Sequence, residues 1–66
     1  MCQAIVYLAR DGQEKPEEIM RDVILLEPTE EGVRLSTFFE EAQTVRARLA
    51  RIDFLKHTVT LVPEEE

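Results

Sequence analysis

The chain has 66 residues, of which 44% are hydrophobic, and a formal net charge of −6. This length allows one small domain spanning residues 1–66, and the acidic balance argues against a broad surface for nucleic-acid phosphates. A single cysteine excludes an intrachain disulfide, so we expect a metal or a partner subunit, and specifically a homodimer, to supplement a small core. No stretch resembles a secretory signal or a membrane span, and a free cysteine suits the reducing cytoplasm.

The first predicted element is a strand at residues 3–9. Ile5, Val6 and Tyr7 are β-branched or aromatic, and nothing before them resembles a helix cap. The dipeptide Asp11-Gly12 predicts a turn in the loop that follows.

A second strand is predicted at residues 20–27, because the four consecutive apolar residues 23–26 are typical of a strand buried on both faces. Pro28 is expected to end it, since proline cannot donate a ladder hydrogen bond. Residues 29–32 read TEEG and predict a hairpin turn in which the glycine adopts a positive φ. A third, alternating strand follows at residues 33–37.

Residues 38–55 fit two structures. As a strand, this segment alternates apolar residues with Arg46 and Arg48, and a β-bulge near Ala50 and Arg51 would restore the apolar face. Helix propensity slightly favours a helix, whereas a small sheet needs further strands to complete it. The helical alternative rests on an apolar stripe formed by Phe38, Ala42, Val45, Leu49 and Ile52.

The last predicted strand covers residues 58–62, after a turn at Lys56-His57. Residues 63–66 are expected to form an acidic tail. A sheet of five or more such strands can close on itself, which favours an all-β domain, but a helix over residues 38–55 stays open at this point.

Few side chains outside the N-terminus suggest chemistry. His57 falls in a predicted turn and is expected to be exposed rather than a metal ligand. Ser36 and Thr37 have no histidine at suggestive spacing, and Asp53 is expected to cap a turn through nearby backbone N–H groups. Three neighbouring arginines, Arg46, Arg48 and Arg51, are expected to lie on a solvated face. Because these side chains suggest no catalytic arrangement, we predict that the protein is not an enzyme.

Cys2 is the most informative residue. Removal of Met1 would leave Cys2 with a free α-amine beside its thiol, and these two groups close a five-membered ring with a metal. The amide nitrogen of Gln3 is the next available donor. The ordinary pKa values, about 7.8 for the amine and about 8.5 for the thiol, allow a divalent metal to displace both protons. Nitrogen and thiolate donors in a plane suit nickel or copper.

A two-fold dimer would complete a four-coordinate site. Each Cys2 could supply an amine and a thiolate, which gives an N₂S₂ set. Alternatively, one chain could supply the amine, the Gln3 amide and the thiolate, with the second thiolate completing the square. The sequence leaves both sets open. It also leaves the metal open, because copper would bind at least as tightly as nickel.

Four segments carry a resemblance over essentially the whole chain. In this order and at this length they resemble the CooT-like family of small carbon monoxide dehydrogenase accessory proteins. The most specific elements are Met1-Cys2 before a short apolar strand and Ile52-Asp53 before the last strand. The four segments read MCQAIVYL, DVILLEP, TVRARLARIDF and TVTLVPE.

The resemblance implies a homodimeric Sm-like or SH3-like β-barrel of five to seven strands, which favours strands over a helix after residue 38. It also implies that Cys2 binds Ni²⁺ at the subunit interface, for delivery to or storage for a nickel enzyme such as carbon monoxide dehydrogenase. An Sm-like RNA-binding module is the alternative. This chain departs from the family pattern at residues 39–41, where a turn glycine is expected.

Overall fold

The computed structural model describes residues 3–64; Met1, Cys2, Glu65 and Glu66 lie outside the described residues. Within this range the chain forms six β-strands and no helix long and apolar enough to cross a membrane. The all-β prediction is therefore confirmed. The strands are β1 (Ala4–Leu8), β2 (Glu17–Thr29), β3 (Gly32–Thr37), β4 (Gln43–Val45), β5 (Ala47–Asp53) and β6 (Thr58–Pro63).

The six strands form one sheet in the order β4-β3-β2-β1-β6-β5, in which β1 and β6 are parallel and all other neighbours antiparallel. The predicted closure into a barrel is wrong. The edge strands β4 and β5 are separated in the chain by Arg46 alone. Because even a tight hairpin needs a two-residue loop, these consecutive strands cannot pair with each other. The sheet curls so that its two edge strands, β4 and β5, come close to each other and are joined by the single residue Arg46.

The curl is concentrated in β2, which spans 13 residues. Its first part pairs with β1 and its second part with β3, and register shifts mark bulges on both sides of Val23. Asp22 has a left-handed backbone with φ of 60° at one of them. Pro28 does not end the strand as predicted; it pairs with Val33 in the β2–β3 hairpin. This is tolerated because the neighbouring strand β1 begins at the level of Val23, so within the described residues β1 does not pair with the part of β2 that contains Pro28.

The segment after residue 38 forms strands, so the helical alternative is wrong. β5 pairs with β6, and the register shifts by one residue between Leu49 and Arg51. The bulge predicted near Ala50 and Arg51 is thereby confirmed, and it keeps Leu49 and Ile52 on the same face. Tertiary pairing outweighs the modest helix propensity of this segment.

The β3–β4 connection lacks the turn glycine of the family pattern and is ordered by a side chain instead. The Thr37 hydroxyl oxygen accepts hydrogen bonds from the N–H groups of Phe39 (3.3 Å) and Glu40 (3.1 Å). This threonine turn orders the start of the connection without a positive φ, so no glycine is needed there.

The core lies on the concave face of the curled sheet. It consists of eight buried apolar side chains, which is a small core for a folded domain. The C-terminal boundary differs slightly from the predicted tail at residues 63–66: Pro63 belongs to β6, and the N–H of Glu64 donates to the carbonyl of Arg46 (3.2 Å). The core residues are Val6, Leu8, Val23, Val33, Leu35, Ala47, Val59 and Leu61.

Candidate functional site

The start of β1 and the β5–β6 turn lie at the same end of the sheet. Ile5 pairs with Thr58 in the parallel β1–β6 ladder, and the N–H of Ile5 donates to the carbonyl of His57 (3.0 Å). A cavity of about 270 Å³ opens at this end, which we call the N-terminal cavity. Its wall is formed by Gln3, Ala4, Leu26, Ile52, Asp53, Phe54, His57, Thr58 and Val59.

Large apolar side chains around the N-terminal cavity remain exposed. Ile52 is 42% exposed although it shares its face with the core, and Phe54 in the adjacent turn is 81% exposed. Leu55 next to it is 88% exposed. A chain this small leaves such side chains in water at a cost of roughly 1.5–3 kcal/mol each relative to burial. This end therefore has the composition of an interaction surface.

The turn beside the cavity is held by Asp53, as predicted. Its Oδ1 accepts hydrogen bonds from the N–H groups of Leu55 (3.0 Å) and Lys56 (3.1 Å). His57 then adopts a left-handed backbone with φ of 58°, which lets β6 begin. His57 is exposed in this turn, in agreement with the prediction.

Replacing Asp53 with alanine should lower the free energy of unfolding by about 1 kcal/mol, because two turn N–H groups lose their acceptor. Asp53→Asn should cost much less, since the amide oxygen can accept the same two hydrogen bonds. Urea denaturation of both variants tests this. Equal losses in the two variants would show that the carboxylate charge, and not the turn hydrogen bonds, stabilises the hairpin.

Of the two residues predicted to bind metal, Cys2 lies outside the described residues. Gln3 is described and lines the N-terminal cavity. Among residues 3–64 no group of three or more His, Asp or Glu side chains could hold a metal ion. A metal site in the described part of the chain therefore has to draw on something other than such a cluster.

The other candidate side chains have structural roles or none that the geometry identifies. The Thr37 hydroxyl accepts turn hydrogen bonds, and Arg51 lies 4.0 Å from the Asp53 carboxylate. Arg21 and Glu18 form an exposed ion pair, and the hydrogen bond from Arg21 lowers the pKa of the Glu18 carboxyl. The arginines at 46, 48 and 51 are all exposed, as expected for a solvated face.

The N-terminal cavity itself was not predicted from the sequence. Leu26 was expected in a strand buried on both faces, whereas it lines an opening together with Phe54. The one available signal is the single-residue register shift at Ala50, which keeps Ile52 on the face it shares with Leu49. Finding the cavity requires knowing that the turn between β5 and β6 lies beside the start of β1.

A family model described as CO dehydrogenase accessory protein CooT matches residues 1–62. The chain belongs to the CooT family. The matched region includes both Cys2 and the whole sheet apart from Pro63. The family assignment supports a CO dehydrogenase accessory role and does not favour the Sm-like RNA-binding alternative.

Two individual proteins are similar to this chain over nearly their whole length. The chain is similar to the crystal structure assigned as CooT from Carboxydothermus hydrogenoformans, with a TM-score of 0.81, 28% identity, and coverage of 97% of this chain and 100% of the other. It is also 29% identical over 65 residues to an uncharacterized protein of Methanothermobacter thermautotrophicus, covering 98% of this chain and 94% of that protein. The similarity extends over the full domain, so it does not depend on a single motif.

Proposed function

We propose that this chain is a cytoplasmic nickel-binding accessory protein, a metallochaperone or store, for the maturation of a nickel enzyme such as carbon monoxide dehydrogenase. The observation that carries the proposal is the CooT family match, which includes Cys2. Nickel is cargo here rather than a resident cofactor, so the site must bind it and also release it. The role we propose is therefore not catalytic.

The position of Gln3 supports a metal site at the N-terminal end. Cys2 is joined to Gln3 by one peptide bond, and Gln3 lines the cavity beside an apolar wall. The turn that contains His57 and the start of β1 are joined by a backbone hydrogen bond from the N–H of Ile5 to the carbonyl of His57 (3.0 Å). A chelate formed by the amine and thiolate of Cys2 would thus be attached to an ordered strand, which limits the conformational entropy lost on binding.

We infer that two copies meet at this end. The exposed side chains of Ile52, Phe54 and Leu55 would be covered by the contact, and the small core gives the monomer little stability of its own. A two-fold axis near Gln3 brings two Cys2 residues together, which supplies the four donors that nickel takes in a plane. The N₂S₂ set and the set that includes the Gln3 amide both remain compatible with this arrangement.

A nickel titration of tag-free protein, with the N-terminal residue checked by mass spectrometry, tests the proposal. We expect saturation at one nickel per dimer, a thiolate-to-nickel absorption band, and a native mass of about twice 7.7 kDa. Proton release should accompany binding, because the thiol and amine must lose their protons. Absence of nickel binding in protein that starts at Cys2 contradicts the carrier function, and a monomeric mass contradicts the shared site.

A further inference from the structure

The β3–β4 connection presents two aromatic rings to solvent. Phe38 is 58% exposed and Phe39 is 86% exposed, and their centroids lie 6.3 Å apart in an edge-to-face arrangement. We call these two residues the aromatic tip. Neither ring belongs to the buried core. The hydrogen bonds from the N–H groups of Phe39 and Glu40 to the Thr37 hydroxyl fix the backbone at the start of this connection to β3.

The aromatic tip is separate from the N-terminal cavity. Ala4 and Thr37 both pair with Val23, and β1 and β3 run in the same direction because each is antiparallel to β2. Ala4 begins β1, whereas Thr37 ends β3. The chain before Ala4 and the chain after Thr37 therefore extend in opposite directions from the level of Val23. A second copy seated at the cavity would leave the aromatic tip uncovered.

The charge around the aromatic tip indicates what covers it. Glu40 and Glu41 follow the rings directly, both are exposed, and neither side chain forms an ion pair within residues 3–64. Two carboxylates beside two rings repel a nucleic acid, an anionic membrane surface and a second, equally acidic copy of this tip. They fit a protein pocket that is apolar at its centre and bordered by lysine or arginine.

We propose that the aromatic tip docks this protein onto its acceptor enzyme, with Phe38 and Phe39 entering an apolar pocket and Glu40 and Glu41 meeting a basic rim. This inference rests on the proposed function, since it takes the nickel enzyme as the partner. It assigns nickel binding to the end of the sheet with the N-terminal cavity and partner recognition to the aromatic tip. The metal end can then remain loaded while the other end makes the first contact.

Binding of the nickel-loaded protein to purified apo carbon monoxide dehydrogenase, measured by biolayer interferometry, tests the assignment. Phe39→Ala should weaken binding at least about tenfold, as expected of a central aromatic anchor. The double variant Glu40→Lys with Glu41→Lys should weaken binding at least about fivefold at low salt. The affinity of the unmodified protein should fall with added salt, whereas that of the double variant should not.

Matched controls come from another turn and another strand. Glu30→Lys with Glu31→Lys makes the same charge change in the β2–β3 turn, and Leu25→Ala removes a side chain that is 48% exposed on β2. Both controls should bind the enzyme like the unmodified chain. Unchanged affinity in the tip variants, or no measurable binding of the unmodified protein at about 100 µM enzyme, overturns the docking assignment. Nickel titrations of the same proteins separate this failure from a failure of the carrier function.

Discussion

Cys2→Ser should abolish high-affinity nickel binding while the fold remains intact. Four-ligand zinc sites in zinc-finger peptides gain about 10–16 kcal/mol; if a nickel site is comparable, each donor contributes roughly 3 kcal/mol, and its loss weakens binding at least about a hundredfold. In a shared site the substitution removes both thiolates at once, which makes the expected loss larger. The thiolate absorption band should disappear completely. Calorimetric titration with nickel and circular dichroism of the same samples measure the two effects.

Variants around Cys2 separate the other donors. One additional residue before Cys2 removes the terminal amine from the chelate ring and should weaken binding sharply in either donor set. Gln3→Pro removes the backbone N–H that would have to be deprotonated, whereas Gln3→Ala retains it and is the matched control. Loss of affinity in Gln3→Pro alone would identify the set that includes the amide. Nickel affinity unaffected by Cys2→Ser would falsify the N-terminal site.

Gly32→Ala should be the most destabilising small substitution in the fold. Gly32 has φ of 151°, and a Cβ at this position would collide with the carbonyl oxygen of Val45 and approach the Cα of Arg46 to 3.1 Å. All of these are backbone atoms that cannot rotate away. To relieve the collision, the β2–β3 hairpin has to move away from the junction between β4 and β5. We expect a loss of about 3 kcal/mol or more, a large share of the stability of a small domain.

Gly12→Ala provides the matched control for this prediction. Gly12 has φ of 84°, but a Cβ there would meet no atom within 4 Å. Only the backbone preference is lost, which costs about 1 kcal/mol. Urea denaturation of both variants should therefore give clearly different midpoints. Similar midpoints would mean that the junction between β4 and β5 moves aside easily, and that the close approach to Gly32 does not stabilise the curled sheet.

The sequence predicted the local elements well where short-range chemistry decides them. Asp53 was expected to cap the last turn, and its carboxylate accepts two turn N–H groups. The TEEG turn forms between Thr29 and Gly32, and the bulge near Ala50 occurs where the apolar alternation slips. Each of these follows from residues within a few positions of one another, so the chain itself contains the necessary information.

Errors arose where a distant strand decides the outcome. Pro28 was expected to end β2, but a proline is compatible with a strand whose neighbour on one side has already ended. Closure of the barrel was expected, yet the single residue Arg46 between β4 and β5 prevents those strands from pairing.

By itself the sequence predicted the turn chemistry and singled out Cys2 as the candidate metal ligand, because both depend on residue type and local order. It left a helix and a strand open for residues 38–55, and strand pairing decided for the all-β class. The tertiary structure alone decided where exposed apolar residues lie relative to one another. Phe54 lines the N-terminal cavity beside Gln3, whereas Phe39 leaves the sheet in the opposite direction. Both appear in the sequence as aromatic residues near a turn. Only the register of β1, β2 and β3 fixes the direction in which each segment leaves the sheet, since a strand pairing relates residues that are far apart in the chain.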